Sequence, residues 1–133
     1  MGNQLAVVSG GIVEAGIVAN GVAARHVFAD YQQRKSSNSL RAQYSDLATF
    51  AEYICNAGAD CPTADELQNE PDAWQGVTWG LVAGFVQWML GQGLALASVN
   101  RKLSTVKVYA GLAAQAGALT GSDLALIKSV KGY

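Results

Sequence analysis

Charge is scarce in this chain. Only 14% of its 133 residues are Asp, Glu, Lys or Arg, and the formal net charge is −1. Taken as an average, that balance speaks against a strongly basic nucleic-acid binder. Cysteine, proline and histidine are nearly absent as well, at two, two and one. Cys55 and Cys61 have no His nearby, whereas a zinc site wants four ligands, usually as two tight pairs. They read as one thiol on a helix face and one in a loop, which fits a reducing cytoplasm. A lone His26 supports no triad, and G-x-S-x-G, P-loop and H-E-x-x-H patterns are all missing. Asp65, Glu66, Glu70 and Asp72 cluster in what reads as a loop. A catalytic carboxylate pair needs burial to raise one pKa, which a solvated loop does not provide. The chain by itself is therefore not expected to be an enzyme, and no metal, cofactor or small-molecule substrate is expected.

Long apolar runs are lacking too. Residues 77–90 reach only about two-thirds of a bilayer's thickness and contain Gln87. Residues 5–24 contain Glu14 and have no basic segment before them, unlike a signal peptide. The expectation is a cytoplasmic protein without a membrane partner. Half the residues are hydrophobic, which excludes intrinsic disorder and suffices for one packed domain.

What is present is helical periodicity. Residues 1–20 hold several glycines and no clear period, and are expected to form a flexible or marginally ordered arm ahead of a domain over 21–133. Ala24, Val27, Phe28 and Tyr31 then mark a first helix over about 21–34. After the break at Lys35-Ser36-Ser37-Asn38-Ser39, Leu40, Tyr44, Leu47, Ala51 and Ile54 mark a second, with Gly58 past its end. An acidic connection over 57–76 holds both prolines and room for one short helical turn. Thr78 is placed to cap a third helix over 79–91, stopped by Gly91 and Gly93. Ser98 is placed to cap a fourth over 99–116, with Val99, Leu103, Val106, Ala110 and Ala113 as its core stripe. Ser122 is placed to cap a fifth over 123–131. No segment alternates with period 2, so the fold class is all-α, a bundle of four or five helices.

The charge average hides a polarised chain. Residues 52–72 carry six acids and no base; residues 94–133 carry five bases against Asp123; residues 21–51 carry four bases against two acids. The bases also sit in unusual places. A helix N-terminus disfavours cations, yet Arg101 and Lys102 read as lying in the first turn of the fourth helix, and Lys35 and Arg41 flank the start of the second. Hydroxyls and amides accompany them: Ser37, Asn38 and Ser39 at one start, Ser98 and Asn100 at the other. Two local violations of one rule suggest an anionic ligand, and two in one small domain a polyanion. At 100° per residue, Arg101, Ser104 and Thr105 share the face opposite the core stripe, with Asn100 and Lys107 at its edge. Such a face suits a DNA major groove.

Ser36-Ser37-Asn38-Ser39-Leu40-Arg41-Ala42, with Tyr44, Asp46-Leu47 and Phe50, resembles the S-x-N-T-x-R-A-Y-x-x-D-L-x-x-F opening of the core-binding domain of tyrosine recombinases (phage integrases). Residues 82–95 resemble that domain's V-x-x-F-x-x-W-L-x-x-x-G-L-A. Ala97-Ser98-Val99-Asn100-Arg101-Lys102-Leu103-Ser104 resembles its A-x-I-N-R-R-L-S. Tyr44 stands one place later than the family's Tyr, and the 57–76 connection is longer and more acidic than usual. The resemblance, over about residues 21–131, implies a SAM-like bundle forming half of a C-shaped clamp on duplex DNA. Asn38, Ser39, Arg41, Ser98, Asn100, Arg101 and Lys102 would face the major groove, and other protomers would be partners on the DNA. The family's catalytic Arg, Lys, H-x-x-R and Tyr belong to a separate domain and have no counterpart here. Two alternatives stand beside this reading. One is a helical protein-interaction module, in which Trp74, Trp79, Trp88 and the apolar third helix would include an exposed patch; the other, weaker, is a small enzyme or metal protein using Cys55, Cys61 and His26.

Overall fold

The structure, a computed structural model, describes residues 2–58 and 60–133, with side chains described from Gly11 onward. Among the described residues it holds six α-helices and no strand: α1 (Gly2–Gln33), α2 (Ser37–Ala57), α3 (Ala64–Asn69), α4 (Trp79–Gly91), α5 (Leu96–Gln115) and α6 (Gly121–Lys128). A single 3₁₀ turn, Pro71–Trp74, separates α3 from α4. The all-α class is the one the periodicity indicated.

α5 is the hub, with α1, α2, α4, α6 and the 3₁₀ turn all packed on it. Its stripe of Val99, Leu103, Val106, Ala110 and Ala113 is fully or almost fully buried. Phe50 of α2 stacks on Trp74 and meets Phe85 of α4 edge-on, and Trp74 in turn stacks over Tyr109. The indole N–H of Trp74 donates to the Leu67 carbonyl at 2.8 Å, so burying this ring strands no polar group. Burial holds the Tyr109 phenol above its ordinary value of 10.0. α4 and α5 both end in a Schellman turn. Gly93 and Gly117 take φ of +83° and +87°, a region open to glycine at little cost.

Several boundaries differ from the sequence reading. α1 does not begin at residue 21 but runs unbroken from Gly2, so the segment read as an arm is helical. Met1 and the side chains of residues 2–10 lie outside the described part. From Gly11 to Asn20 every residue is exposed, Ile12, Val13, Ile17 and Val18 included. By length and composition alone, Gly11–Gln33 could cross a membrane, yet its last turns are anchored by Phe28, buried against Tyr109. The acidic connection, apart from Ala59, which is not described, contains a full helix. Thr63 and Glu66 close a capping box that starts α3. α5 starts at Leu96 behind Ala95, three residues before the expected place, and Ser98 caps nothing. α6 is capped by Thr120, whose hydroxyl accepts from the Asp123 amide, rather than by Ser122. Tyr44, read as a core position, is 44% exposed. The inward place is taken by its neighbour Gln43, which donates to the Tyr31 hydroxyl and accepts from that of Tyr109.

The cysteines also depart from the reading as two separate thiols. Cys55 and Cys61 form a disulfide, their Cα atoms 4.9 Å apart. Gly58, the C-cap of α2, is extended, and its amide donates to the Ile54 carbonyl, so the helix ends ahead of the loop thiol. Both cysteines are exposed and neither belongs to the core cluster. The loop they close is short, and the chain-entropy relation gives about 2 kcal/mol for it. Reduction with dithiothreitol is expected to lower the unfolding free energy by that amount while leaving the far-ultraviolet dichroism of the native state unchanged. Loss of helix on reduction would contradict this placement of the core.

Candidate nucleic-acid interface

The residues singled out on charge grounds divide into two sets. On the α2 side, Ser36 caps the helix, its hydroxyl accepting from the Ser39 amide at 3.1 Å. Beyond it Lys35, Ser37, Asn38, Ser39 and Arg41 are all exposed. Lys35 lies over the Tyr31 ring, 5.2 Å from its centroid, a cation–π contact that fixes its stem and leaves its charge at the surface.

On the α5 side the expected face is only partly outward. Lys102 and Thr105, expected to meet DNA, are buried at 8% and 6% exposure. Their partner is Asp46 of α2, itself 1% exposed. Thr105 Oγ1 donates to Asp46 Oδ2 at 2.7 Å, while Lys102 Nζ and Arg101 Nε share Oδ1 at 3.4 and 3.1 Å. The cause is helical register: Lys102 stands one turn from Val99 and Val106, and Thr105 one turn from Tyr109, so both lie along the buried side of α5. With Leu96 as first residue, Arg101 and Lys102 also fall in the second turn. The rule that cations avoid a helix's first turn is therefore not broken at α5. The polar residues there satisfy a buried carboxylate instead. Asn100 is committed too: its amide donates to the Tyr133 carbonyl at 2.8 Å and accepts from the Tyr133 amide at 2.6 Å. Gly132 makes this approach possible, since a Cβ there would collide with the Asn100 side chain. Lys107 donates to the Val130 carbonyl. Ser98 is half-buried.

What remains outward on α5 is a strip of Ala97, Arg101, Ser104 and Val108. The Arg101 side chain is 58% exposed, so Asp46 grips the guanidinium by Nε and leaves the two Nη groups to solvent. The carboxylate thus holds a cation in one outward orientation and ties α5 to α2 about a turn and a half from Arg41. No buried side-chain polar atom among the described residues lacks a hydrogen bond.

Sequence reasoning missed two other polar anchors. Gln68 of α3 donates to the Leu40 carbonyl, and Gln32 of α1 donates to the Gln68 carbonyl, both at 2.8 Å. They fold the acidic connection back against the α1–α2 corner. Among the described residues no three His, Cys, Asp or Glu side chains gather as a metal would require. Of the tryptophans, Trp74 is wholly buried and Trp88 half-buried, and only Trp79 is exposed. No protein-family model, curated protein or solved structure matches this chain.

Proposed function

We propose that this chain is a duplex-DNA-binding module of the core-binding, SAM-like type, the non-catalytic part of a tyrosine site-specific recombinase. It would act in the cytoplasm alongside other protomers on DNA, with strand cleavage assigned to a separate domain. In that compartment the Cys55–Cys61 bridge would open, and its place outside the core makes that opening tolerable. The observation that carries the reading is the Asp46–Arg101 grip. It joins the two segments whose motifs resemble the family's, and holds Arg101 outward on α5, about a turn and a half of α2 from Arg41. Prepositioned cations and amides at a helix start are what phosphate and base edges require.

The revised site is Lys35, Ser37, Asn38, Ser39, Arg41, Arg101 and Ser104. The test is duplex binding by anisotropy across a salt series. The R41A/R101A double variant is expected to flatten the slope of log K against log salt by about 1.8, at about 0.9 for each phosphate no longer neutralised. Equal affinity of variant and wild type at low salt would refute the assigned face. Lys102 is unsuitable for this test, because its removal disturbs a buried ion pair.

A second reading, a helical protein-interaction module, is favoured by one observation: the exposed apolar residues Ile12, Val13, Ile17 and Val18 on α1. Of the tryptophans, only Trp79 is exposed enough to join such a surface. A stable dimer in sedimentation, unaffected by DNA, would support this reading over the first.

A further inference from the structure

The surface assigned above lies on the α2 side of α5. The α6 side carries a second group of cations. Lys107 and Lys128 line one surface depression of about 400 Å³, floored by Val108 and Gly111. The Lys107 ammonium reaches the end of α6 through the Val130 carbonyl, and Lys131, exposed, follows in the chain. The ion pairs among the described residues all belong to Asp46, so no carboxylate answers these lysines. The one acid of α6, Asp123, lies in its first turn, at the far end from Lys128.

A single base in a last turn has an ordinary explanation, since it offsets the negative end of the helix dipole. Lys107 bonds the Val130 carbonyl two residues past the helix end, so Lys128 alone meets that need. Two more ammonium groups beside it add repulsion without further benefit to an eight-residue helix. The floor is open: nothing lies within 4 Å of where a Cβ on Gly111 would stand. Arg101 stands within the outward strip of α5, and Lys107 borders the strip on the α6 side. They are six residues, or about 9 Å, apart along the axis. The strip thus carries one cation and has another along its α6 edge.

We infer that Lys107, Lys128 and Lys131 form a second phosphate-binding edge, which holds the sugar–phosphate backbone of duplex DNA on the α6 side of α5. This rests on the DNA reading and extends it. Lysine ammonium groups act as point charges without planar base recognition, so this edge sets the position of the duplex and adds no sequence preference.

The experiment uses the full chain and a salt series with two duplexes of unrelated sequence. The K128Q/K131Q variant is expected to flatten the slope of log K against log salt by about 1.8 on both duplexes, while K128R/K131R retains the wild-type slope. Both positions are exposed, so thermal melting should be unchanged; Lys107 is left in place because it supports α6. An unaltered slope in K128Q/K131Q, with R41A/R101A still impaired, overturns the second edge and leaves the DNA reading standing. A loss confined to one duplex sequence also overturns it. Absence of duplex binding by the wild type at low salt refutes the DNA reading itself, and the second edge with it.

Discussion

Replacing Asp46 with Ala is expected to cost about 3–5 kcal/mol, the usual penalty when one member of a buried ion pair is removed. The size of the effect follows from what is left behind. Lys102 has a side chain only 10% exposed and no other ion-pair partner among the described residues, so its ammonium would have to stay buried unpaired or pull away from the core. Thr105 would lose the acceptor of its 2.7 Å hydrogen bond, adding the cost of an unsatisfied hydroxyl. Urea denaturation followed by far-ultraviolet dichroism measures this directly. Lys102→Met combined with Asp46→Leu should recover much of the loss, since an apolar pair of similar volume avoids the desolvation of both charges. The recovered protein should still bind duplex more weakly than wild type, because Arg101 would no longer be oriented. A single Asp46→Ala that costs less than about 1 kcal/mol would show that the carboxylate is not the centre of this joint.

The second large effect belongs to Trp74. Trp74→Ala is expected to destabilise the chain by about 3–5 kcal/mol, through the apolar surface no longer buried and a cavity the neighbours cannot close. Its ring lies between Phe50 and Tyr109, and it supplies the partner of the Leu67 carbonyl. Trp79→Ala should by contrast stay within about 0.5 kcal/mol, because that ring is 52% exposed. Tryptophan emission separates the two without denaturant: Trp74 emits from a dry site, so its loss should shift the average spectrum to the red, and loss of Trp79 should shift it to the blue. Similar costs for the two substitutions would mean that the 3₁₀ turn is not seated on α5 as described.

The helices were legible where one face alternates cleanly between core and solvent. The stripe of α5, the Thr78 cap of α4 and the glycine stop at 93 are all local signals, and each operates as its chemistry dictates, while the stripe of α2 holds except at Tyr44. The start of α5 was not legible for a physical reason. Ser98 is a better capping residue than Ala95, but Leu96 and Ala97 have high helix propensity and extend the helix past it. That three-residue difference moved Arg101 and Lys102 out of the first turn; Lys102 and Thr105 face inward because they lie one turn from Val99, Val106 and Tyr109 on the buried side. The signal for α3 was present in Thr63-Ala64-Asp65-Glu66, a capping-box spacing, but the prolines and acids around it obscured it. Asp46 was harder. An acid one residue from Leu47 looks like a solvated edge position, and only the partner helix, 55 to 59 residues on, shows that it is enclosed. Non-local pairings of this kind have no periodicity to betray them, and the Asn100–Tyr133 bonds are of the same sort.

The narrowness of the outward strip on α5 bears on how such a surface could change over generations. Eight residues of that helix are buried and little tolerant of substitution, while Ala97 and Ser104 are exposed. Two neighbouring positions can therefore vary at little cost in stability, beside an arginine whose direction is fixed from beneath. New preferences could arise there by single substitutions that the fold does not register. On the DNA reading, the same separation makes those two positions a compact library for altering what the domain selects.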